Sequence, residues 1–351
     1  MNDESAISKL DFTHVLAHTS DLWPELRGAR LFVTGGTGFV GKWLVETLLA
    51  ANAHHRLGAQ AVVLTRDIAA FRAHAPWIAE APGIELVEGD VRTFPFPEGN
   101  FTHLIHAAAD MAVDAAPLEV HDIIVRGTVR VLEFAATCRV SDLLLVSSGA
   151  IYGPQPAEVE RLTEEFAGAP SPSEPAAAYG QGKREAEWLT HAYAKAHGLR
   201  CRIARLFSFV GPYLPPPYAA ASFVDDLLAE RPINVAGDGT SVRSYLYAAD
   251  MAIWLWAALL RGPPGLVCNV GGEDIVSMAD LAVMVSGFRK PALPVHIAHA
   301  DAPARATQRY VPSISYARHV LGVAPLVLLE DGLRRMISSR QTAAIGKHHV
   351  A

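Results

Sequence analysis

Short apolar runs alternate with longer amphipathic stretches between residues 30 and 207. The runs have the length of buried strands, and the amphipathic stretches repeat apolar residues every three or four positions. The pattern predicts strands at 30–34, 61–65, 84–87, 101–109 (with its loop), 142–148 and 202–207. It predicts helices at 39–51, 68–78, 117–138 and 174–196. Strands that alternate with helices pair in parallel through right-handed crossovers, so we expect an α/β fold with a doubly wound parallel sheet.

The chain changes in texture after residue 210, where prolines become frequent and the predicted elements become short. We therefore expect a second, smaller lobe. The predicted organisation is an N-terminal helical extension packed outside the core (1–29), a main α/β domain (30–210) with a return segment (241–275), a C-terminal lobe (211–240 and 276–338) and a frayed polar tail (339–351).

A glycine-rich turn follows the first predicted strand and carries Gly35, Gly38 and Gly41. At such a strand–turn–helix junction, backbone N–H groups and the positive end of the helix dipole face an anion. Gly35 allows the tight turn, Gly38 lets a pyrophosphate approach the backbone, and Gly41 lets the helix pack closely. The context predicts a dinucleotide site, although the turn could merely join a strand to a helix. The other predicted contacts within this turn are Thr37, Phe39 and Val40.

Composition excludes several classes of function. The chain has 351 residues, is 50% hydrophobic and has a net charge of −6, which gives no electrostatic footprint for nucleic acid or an anionic membrane. Its start does not resemble a signal peptide, and the longest apolar run, 251–260, is too short to span a bilayer and indicates a buried helix. Three scattered cysteines indicate free thiols and a cytoplasmic location, and no Cys/His cluster has the spacing of a metal site.

The end of the second predicted strand bears on the choice between NAD and NADP. An acidic residue there would bind the ribose hydroxyls of NAD, whereas an arginine would accommodate the 2′-phosphate of NADP. Arg66 favours NADP; alternatively Arg66 stacks on adenine or faces solvent, and Asp67 holds the ribose. Asp90 and Val91 follow the third strand, where a carboxylate can accept a hydrogen bond from adenine, unless Asp90 is an ordinary loop residue.

Tyr179 and Lys183 lie four residues apart early in a predicted helix, which places both on one face. A nearby ammonium, together with a nicotinamide cation, favours tyrosinate and lowers the pKa of the tyrosine. Tyr179 could then exchange a proton with a sugar hydroxyl or ketone while hydride is transferred. Ser147 or Ser148, at the end of the fifth strand, could hydrogen-bond the same substrate oxygen.

Several further motifs complete a set that extends over residues 30–335. They are Thr34-Gly-Gly-Thr-Gly-Phe-Val-Gly41, Gly89-Asp-Val91, His106-Ala-Ala108, Ser147-Ser-Gly-Ala-Ile-Tyr-Gly153, Tyr179-x-x-x-Lys183, Arg205-Leu-Phe207 with Gly211-Pro212, Gly237-Asp-Gly239 through Arg243 to Asp250, and Arg309-Tyr-Val-Pro312. The set resembles the extended short-chain dehydrogenase/reductases of the NAD-dependent epimerase/dehydratase family, whose members mostly modify nucleotide sugars. The resemblance implies a Rossmann domain that binds NAD or NADP, with Ala107 and Ala108 among its contacts, a substrate-binding lobe and a homodimer.

The resemblance also bears on the reaction. In the family the catalytic hydroxyl stands four residues before the tyrosine of a Tyr-Gly pair, which is Ser148 in this chain. The 4,6-dehydratases place Asp-Glu directly after it, and decarboxylating relatives place Glu at the position of Ala150. This chain has Gly149 and Ala150, which disfavours both reactions. What remains is hydride transfer at a sugar C4, either as 4-epimerisation or as reduction of a 4-ketone.

Three positions depart from the family pattern: Ile124 replaces an asparagine, Ser208 follows Phe207 where asparagine is usual, and Ser244 replaces an aspartate. The change at Ser208 puts one pyrophosphate or sugar contact in doubt. Arg243 matches the family's phosphate-binding arginine, and Arg309 is a second candidate cation for a diphosphate. Either arginine could instead form only a surface ion pair.

Two other functions remain open from the sequence. The chain could reduce a small ketone that carries no nucleotide, or it could be a catalytically idle NAD(P)-binding sensor or scaffold. Ser148, Tyr179 and Lys183 occurring together argue against the idle protein. Fold class alone would not decide between these functions.

Overall fold

The computed structural model describes residues 5–109, 116–299 and 307–348. Its strands are β1 (Arg30–Thr34), β2 (Gln60–Thr65), β3 (Ile84–Glu88), β4 (His103–His106), β5 (Asp142–Ser148), β6 (Arg200–Leu206), β7 (Ser208–Val210), β8 (Ile233–Val235), β9 (Val242–Tyr247), β10 (Val267–Val270), β11 (Ile275–Ser277), β12 (Val295–Ile297) and β13 (Arg309–Tyr310). Its helices are α1 (Lys9–His18), α2 (Phe39–His55), α3 (Ile68–His74), α4 (Pro76–Ala79), α5 (Pro117–Thr137), α6 (Ala178–His197), α7 (Ala219–Leu228), α8 (Ala248–Leu260), α9 (Met278–Ser286), α10 (Ser315–Leu321) and α11 (Leu329–His348).

The main sheet contains seven strands of the described chain, all parallel, in the order β10-β6-β5-β4-β1-β2-β3. Every residue of β5 is buried, as expected for a strand covered by helices on both faces. The predicted doubly wound α/β fold is therefore confirmed. From β1 the chain runs outward to β3 and then returns to β4 on the other side of β1. This reversal opens a crevice at the carboxyl ends of β1 and β4, where such folds bind ligands.

A smaller sheet stands beside the main one. Its centre is β9, which pairs with β7, β11 and β13, while β8 and β12 form a separate parallel pair. The predicted return segment 241–275 is divided between the two sheets, because β10 lies beside β6 and β9 belongs to the small sheet. The boundary between lobe and main domain stays a prediction.

Prolines and the glycine turn explain where predicted elements end early. The predicted helix 68–78 is broken at Pro76 into α3 and α4, and α6 begins at Ala178 after a 3₁₀ turn at Pro175–Ala177. The predicted strand 101–109 keeps only His103–His106, because the chain then turns to meet the loop after β1.

The N-terminal extension is part of the core, which corrects the expectation that it packs outside. Phe12 and Val15 of α1 and Trp23 of a following 3₁₀ turn are 5%, 0% and 0% exposed. The Trp23 ring lies edge-on to Trp256 of α8, with 5.1 Å between ring centroids. The physical reason is α8, whose residues from Ala248 to Leu259 are all buried. A helix that is apolar on every side needs cover on every side, and α1 supplies part of it.

The predicted frayed tail is helical as far as His348, which corrects that expectation for the residues described. Ser339 donates a hydrogen bond of 2.8 Å to the carbonyl of Ala6. Arg340 donates to the carbonyl of Leu214 at 2.6 Å and pairs with Asp225. Polar residues thus hold α11 to the extension and to α7, so a polar composition does not mean an unattached tail. Residues 349–351 of the predicted tail lie outside the described residues.

No helix in the described parts of the chain is long and apolar enough to cross a membrane.

Candidate active site

The glycine turn after β1 forms a cradle at the start of α2. Gly35 has φ +71°, and a Cβ there would lie 2.5 Å from the backbone carbon of Ala107. A Cβ on Gly41 would lie 2.1 Å from the carbonyl oxygen of Gly35. A Cβ on Gly38 would meet only that same oxygen, at 3.4 Å. Two glycines therefore bring strand, loop and helix together, and the third leaves space in front of the helix.

The space in front of Gly38 suits a pyrophosphate. Gly38 is the N-cap of the 17-residue helix α2 and has no side chain to cap it, so the first N–H groups of the helix are available to an anion. Phe39 and Val40 pack their side chains against the main core, which leaves their backbone N–H groups to face the cradle. The residues present thus fit a dinucleotide.

A groove extends from this cradle between the ends of β1, β2 and β4. It brings together most of the predicted cofactor residues. Its lining residues are Gly35, Thr37, Gly38, Leu64, Thr65, Arg66, Gly89, Asp90, Val91, Ala107, Ala108, Ala109 and Ile123.

The far end of the groove carries Arg66 and Asp90. Asp67 caps α3: its Oδ1 accepts a hydrogen bond of 2.8 Å from the backbone N–H of Ala70. This hydrogen bond engages one carboxylate oxygen of Asp67 outside the groove. Asp90 is held by Arg92, a residue that the sequence did not single out: Nε donates to Oδ1 at 2.9 Å and Nη2 to Oδ2 at 2.7 Å. These hydrogen bonds lower the pKa of Asp90. Arg92 therefore favours the ionised form of Asp90 and fixes its orientation, and the contact of Asp90 with adenine stays a prediction.

His106 holds the loop after β4 against the cradle. Its Nδ1 lies 2.7 Å from Thr34 Oγ1 and its Nε2 lies 3.1 Å from Thr128 Oγ1. Thr34 Oγ1 also accepts a hydrogen bond of 3.3 Å from the N–H of Ala108. Burial, with the nearby Lys183 charge, lowers the pKa of His106 to about 3, so the ring is neutral at physiological pH. A neutral histidine can serve both threonines without a buried charge.

The predicted catalytic residues meet at the end of β5. Ser148 closes β5, and the Tyr179 hydroxyl approaches it from the first turn of α6. Lys183 lies one turn later, donates a hydrogen bond of 2.8 Å to the carbonyl of Val146, and keeps its Nζ 5.9 Å from the centroid of the Tyr179 ring. Ser147 points to the opposite side, where it donates to Glu187 at 2.5 Å. The geometry therefore selects Ser148 over Ser147 as the hydroxyl of this cluster.

Burial shifts both titrating groups of the cluster. It raises the pKa of Tyr179, an effect that the hydrogen bond with Ser148 opposes. It lowers the pKa of Lys183 to about 8, an effect that the carboxylate of Glu187 opposes. Burial therefore disfavours the charged form of each side chain, and an opposite charge nearby would favour it.

The predicted substrate residues lie around the small sheet but do not share one face. Arg243 and Tyr310 are register partners of β9 and β13, and the Arg243 Cζ lies 5.5 Å from the centroid of the Tyr310 ring. Arg309, the neighbour of Tyr310, points to the other face, where its Nη2 donates a hydrogen bond of 3.2 Å to the carbonyl oxygen of Glu160. Ser208 is half-buried in β7, opposite Tyr245 of β9. The structure therefore separates the two arginines that the sequence places together.

Sequence patterns missed the buried polar network beneath the cluster. Glu187 accepts hydrogen bonds from Ser147 and, at 2.7 Å, from Arg205 Nη2. Arg205 also donates 2.8 Å to the Tyr152 hydroxyl, which donates 2.8 Å to Asn269 of β10. The network ties α6 to β5, β6 and β10. The available signal was the spacing of Glu187, four residues after Lys183 on the same helical face.

Comparison with known proteins identifies the family. The sequence profile of the NAD-dependent epimerase/dehydratase family matches residues 31–271, which is more than half of the chain. The chain is a member of the NAD-dependent epimerase/dehydratase family. The resemblance predicted from its motifs is thereby confirmed.

The family member has relatives that perform different reactions. UDP-glucuronic acid decarboxylase 6 of Arabidopsis thaliana is 30% identical over 311 residues, 88% of this chain and 87% of the relative. Among solved structures, UDP-glucuronic acid 4-epimerase of Bacillus cereus in complex with NAD matches with a TM-score of 0.76 and 22% identity, over 90% of this chain and 99% of the other. A dTDP-glucose 4,6-dehydratase of Streptomyces venezuelae, also solved with NAD, matches with a TM-score of 0.75 and 27% identity, over 89% of this chain and 97% of the other.

Gly38 and Gly41 of this epimerase/dehydratase family member should respond differently to alanine. Gly38→Ala should fold normally but bind NAD or NADPH at least about tenfold more weakly, because the methyl group enters the space in front of α2. Gly41→Ala should lower the free energy of unfolding by about 1–3 kcal/mol, because its methyl group overlaps backbone.

Calorimetric titration measures the cofactor affinity of Gly38→Ala, and urea unfolding measures the stability of Gly41→Ala. Gly237→Ala is the control, since its Cβ has no neighbour within 4 Å; a Gly38→Ala protein that binds as the wild type does would contradict the assignment.

Proposed function

We propose that this chain transfers hydride at the C4 hydroxyl or ketone of a nucleotide sugar, as a 4-epimerase or a 4-ketoreductase. One observation carries the proposal: Ser148, Tyr179 and Lys183 converge at the end of β5, while Gly149 and Ala150 bring no carboxylate beside them. The relatives named above include a decarboxylase and a dehydratase. Both reactions must move protons or a carboxylate beyond C4, for which the family uses acidic side chains at positions that are apolar in this chain.

The side chains of the cluster have distinct tasks in this proposal. Ser148 hydrogen-bonds the reacting C4 oxygen and orients it towards Tyr179. Tyr179 accepts the proton of the C4 hydroxyl during oxidation and returns a proton to the C4 oxygen during reduction. Lys183 stabilises tyrosinate and grips the nicotinamide ribose. When bound, the nicotinamide ring supplies or accepts the hydride.

Arg243 is proposed to bind the diphosphate of the substrate, with Ser208 as a nearby polar contact. Its cationic end faces Tyr310, on the side of the small sheet that leads to Ser148. Arg309 lies on the other face, so we expect its contribution to be smaller than that of Arg243. Arg243→Ala should raise KM for UDP-glucuronic acid or dTDP-glucose. Turnover that survives this change unaltered would support the alternative function, reduction of a small ketone that carries no nucleotide.

The choice between epimerase and reductase depends on the cofactor. An epimerase keeps one NAD and returns the hydride to the same sugar, whereas a reductase exchanges NADPH at each turnover. Arg66 lines the groove and Asp67 caps α3, which supports a 2′-phosphate and hence NADP. The solved relatives contain NAD, which supports the epimerase.

Denaturing the purified protein and identifying the released dinucleotide tests this choice. Stoichiometric NAD supports the epimerase; protein that is empty but binds NADPH supports the reductase. In the second case Arg66→Ala should weaken NADPH binding and leave NADH binding unchanged. Protein that neither carries nor binds a nicotinamide dinucleotide would overturn the proposed function and also the alternative of an idle NAD(P)-binding scaffold.

A homodimer through α5 and α6 is also proposed. These two helices pack against each other on one face of the sheet and carry large apolar side chains in solvent, Leu118 at 86% and Trp188 at 67% exposure. Sedimentation velocity tests the proposal, which a purely monomeric protein would contradict.

A further inference from the structure

Tyr310 lies at the reacting centre, although it comes from the far end of the chain. Its hydroxyl is 3.4 Å from Ser148 Oγ and 3.4 Å from the carbonyl oxygen of Leu206. Its ring packs on Phe207, with 4.6 Å between centroids. The phenol is therefore held between the carboxyl ends of β5 and β6 and points at the hydroxyl of Ser148.

Ser148 is consequently placed between two phenols, Tyr179 and Tyr310. A serine hydroxyl has one proton to donate and two lone pairs. One lone pair accepts from the N–H of Ala150 at 3.1 Å. If the proton points at Tyr179, the second lone pair can accept from the Tyr310 hydroxyl at 3.4 Å. The single Tyr310 proton then leaves the carbonyl oxygen of Leu206, which lies at the same distance of 3.4 Å. Burial raises the pKa of Tyr310 to about 12, so Tyr310 keeps the proton it would donate.

We propose that Tyr310 is a positioning residue: its hydroxyl donates to Ser148 Oγ and so directs the single Ser148 proton to the side of Tyr179, where the substrate oxygen would bind. This inference rests on the proposed function of Ser148 and Tyr179. The direction of these hydrogen bonds matters most when Tyr179 is ionised. Tyrosinate then accepts a hydrogen bond from Ser148, and Ser148 accepts one from Tyr310. A phenol that takes part in this chain lowers the pKa of Tyr179, and its removal should raise it.

Ala150 makes room for this arrangement. The side chain at this position is a methyl group, and its backbone N–H donates to Ser148 Oγ at 3.1 Å. Tyr310 can also couple substrate binding to the reacting centre, because Arg243 lies over its ring. The ring and the hydroxyl thus have separable tasks, which different substitutions can distinguish.

Tyr310→Phe keeps the ring and removes the hydroxyl. With UDP-glucuronic acid or dTDP-glucose, we expect kcat to fall roughly tenfold and KM to stay within about twofold of the wild type. The apparent pKa of kcat should rise by about half a unit to one unit, in either direction of reaction. Tyr310→Leu also removes the ring under Arg243, so KM should rise as well. Tyr316→Phe, at a tyrosine of α10 that is 44% exposed, is the matched control. Unchanged kcat and an unchanged pH profile in Tyr310→Phe would overturn the inference.

A double-mutant cycle tests the contact without any substrate. The variants are Ser148→Ala, Tyr310→Phe and their combination, and the readout is urea unfolding of the full chain. We expect the two changes to be coupled by roughly threefold to tenfold in the unfolding equilibrium constant, and strict additivity would overturn the inference. If the wild type turns over neither nucleotide sugar and binds neither NAD nor NADPH, the proposed function fails, while the cycle still decides whether Tyr310 holds Ser148.

Discussion

Tyr179→Phe should reduce turnover of a nucleotide sugar by about 10³-fold while cofactor binding is retained. The phenylalanine keeps the ring that packs in this part of the core, so the site should remain assembled. What is lost is the hydroxyl that meets Ser148 and is the only predicted proton donor and acceptor for the C4 oxygen. Water cannot replace it efficiently, because the site is buried. Ser148 cannot replace it either, because an aliphatic hydroxyl is a far weaker acid than a phenol.

The measurement is kcat with UDP-glucuronic acid or dTDP-glucose, alongside calorimetric titration with NAD and NADPH. Tyr193→Phe is the matched control, since Tyr193 lies on the same helix and stacks on His197 at 5.4 Å rather than on the catalytic cluster. Activity of Tyr179→Phe near that of the wild type would show that another group transfers the proton. Loss of cofactor binding as well would show instead that the substitution had disturbed the fold.

Glu187→Ala should lower the free energy of unfolding by about 3–5 kcal/mol. The Glu187 side chain is 8% exposed and the Arg205 side chain 13%, so the truncation leaves a guanidinium buried without its counter-ion. Ser147 loses its acceptor at the same time. Because this network lies under Ser148 and Lys183, activity should also fall, even though Glu187 does not touch the substrate in the proposed function.

Glu185→Ala is the matched control on the same helix. Its carboxylate pairs with His121 at 3.4 Å and is 46% exposed, so its loss should cost less than about 1 kcal/mol. Urea unfolding followed by circular dichroism measures both variants. The double variant Glu187→Leu with Arg205→Met should recover part of the stability, since it removes both charges together. A Glu187→Ala protein as stable as Glu185→Ala would mean that Arg205 finds another partner or water.

Local chemistry made much of the fold and the glycine turn after β1 predictable. The bounds of β1 and β5 match the prediction because a continuous apolar run with a polar or glycine end is a property of neighbouring residues. The three glycines lie where their spacing predicts, because each lies close to backbone atoms of the same turn or of the adjoining loop. The spacing of Tyr179 and Lys183 likewise places both on one face of α6.

Polar partners over long distances were not predictable in the same way. The N-terminal extension shows this most clearly: Asp11 is 1% exposed and receives hydrogen bonds from Tyr247 and Arg335. Nothing in the sequence around Asp11 distinguishes it from a helix-capping aspartate on the surface. Only the position of α1 over α8 decides that this carboxylate is buried and paired.

The sequence by itself determined the doubly wound sheet, the glycine cradle after β1, the Tyr179–Lys183 pair and the family. These depend on periodicity and on spacings of a few residues, which fix local geometry wherever the segment lies. The tertiary structure alone decided that Ser148 rather than Ser147 faces Tyr179, that Arg309 is turned away from Arg243, and that Tyr310 meets Ser148 from 162 positions away. The physical reason is that a buried polar group is satisfied by whichever partner the packing of distant elements brings within hydrogen-bonding distance.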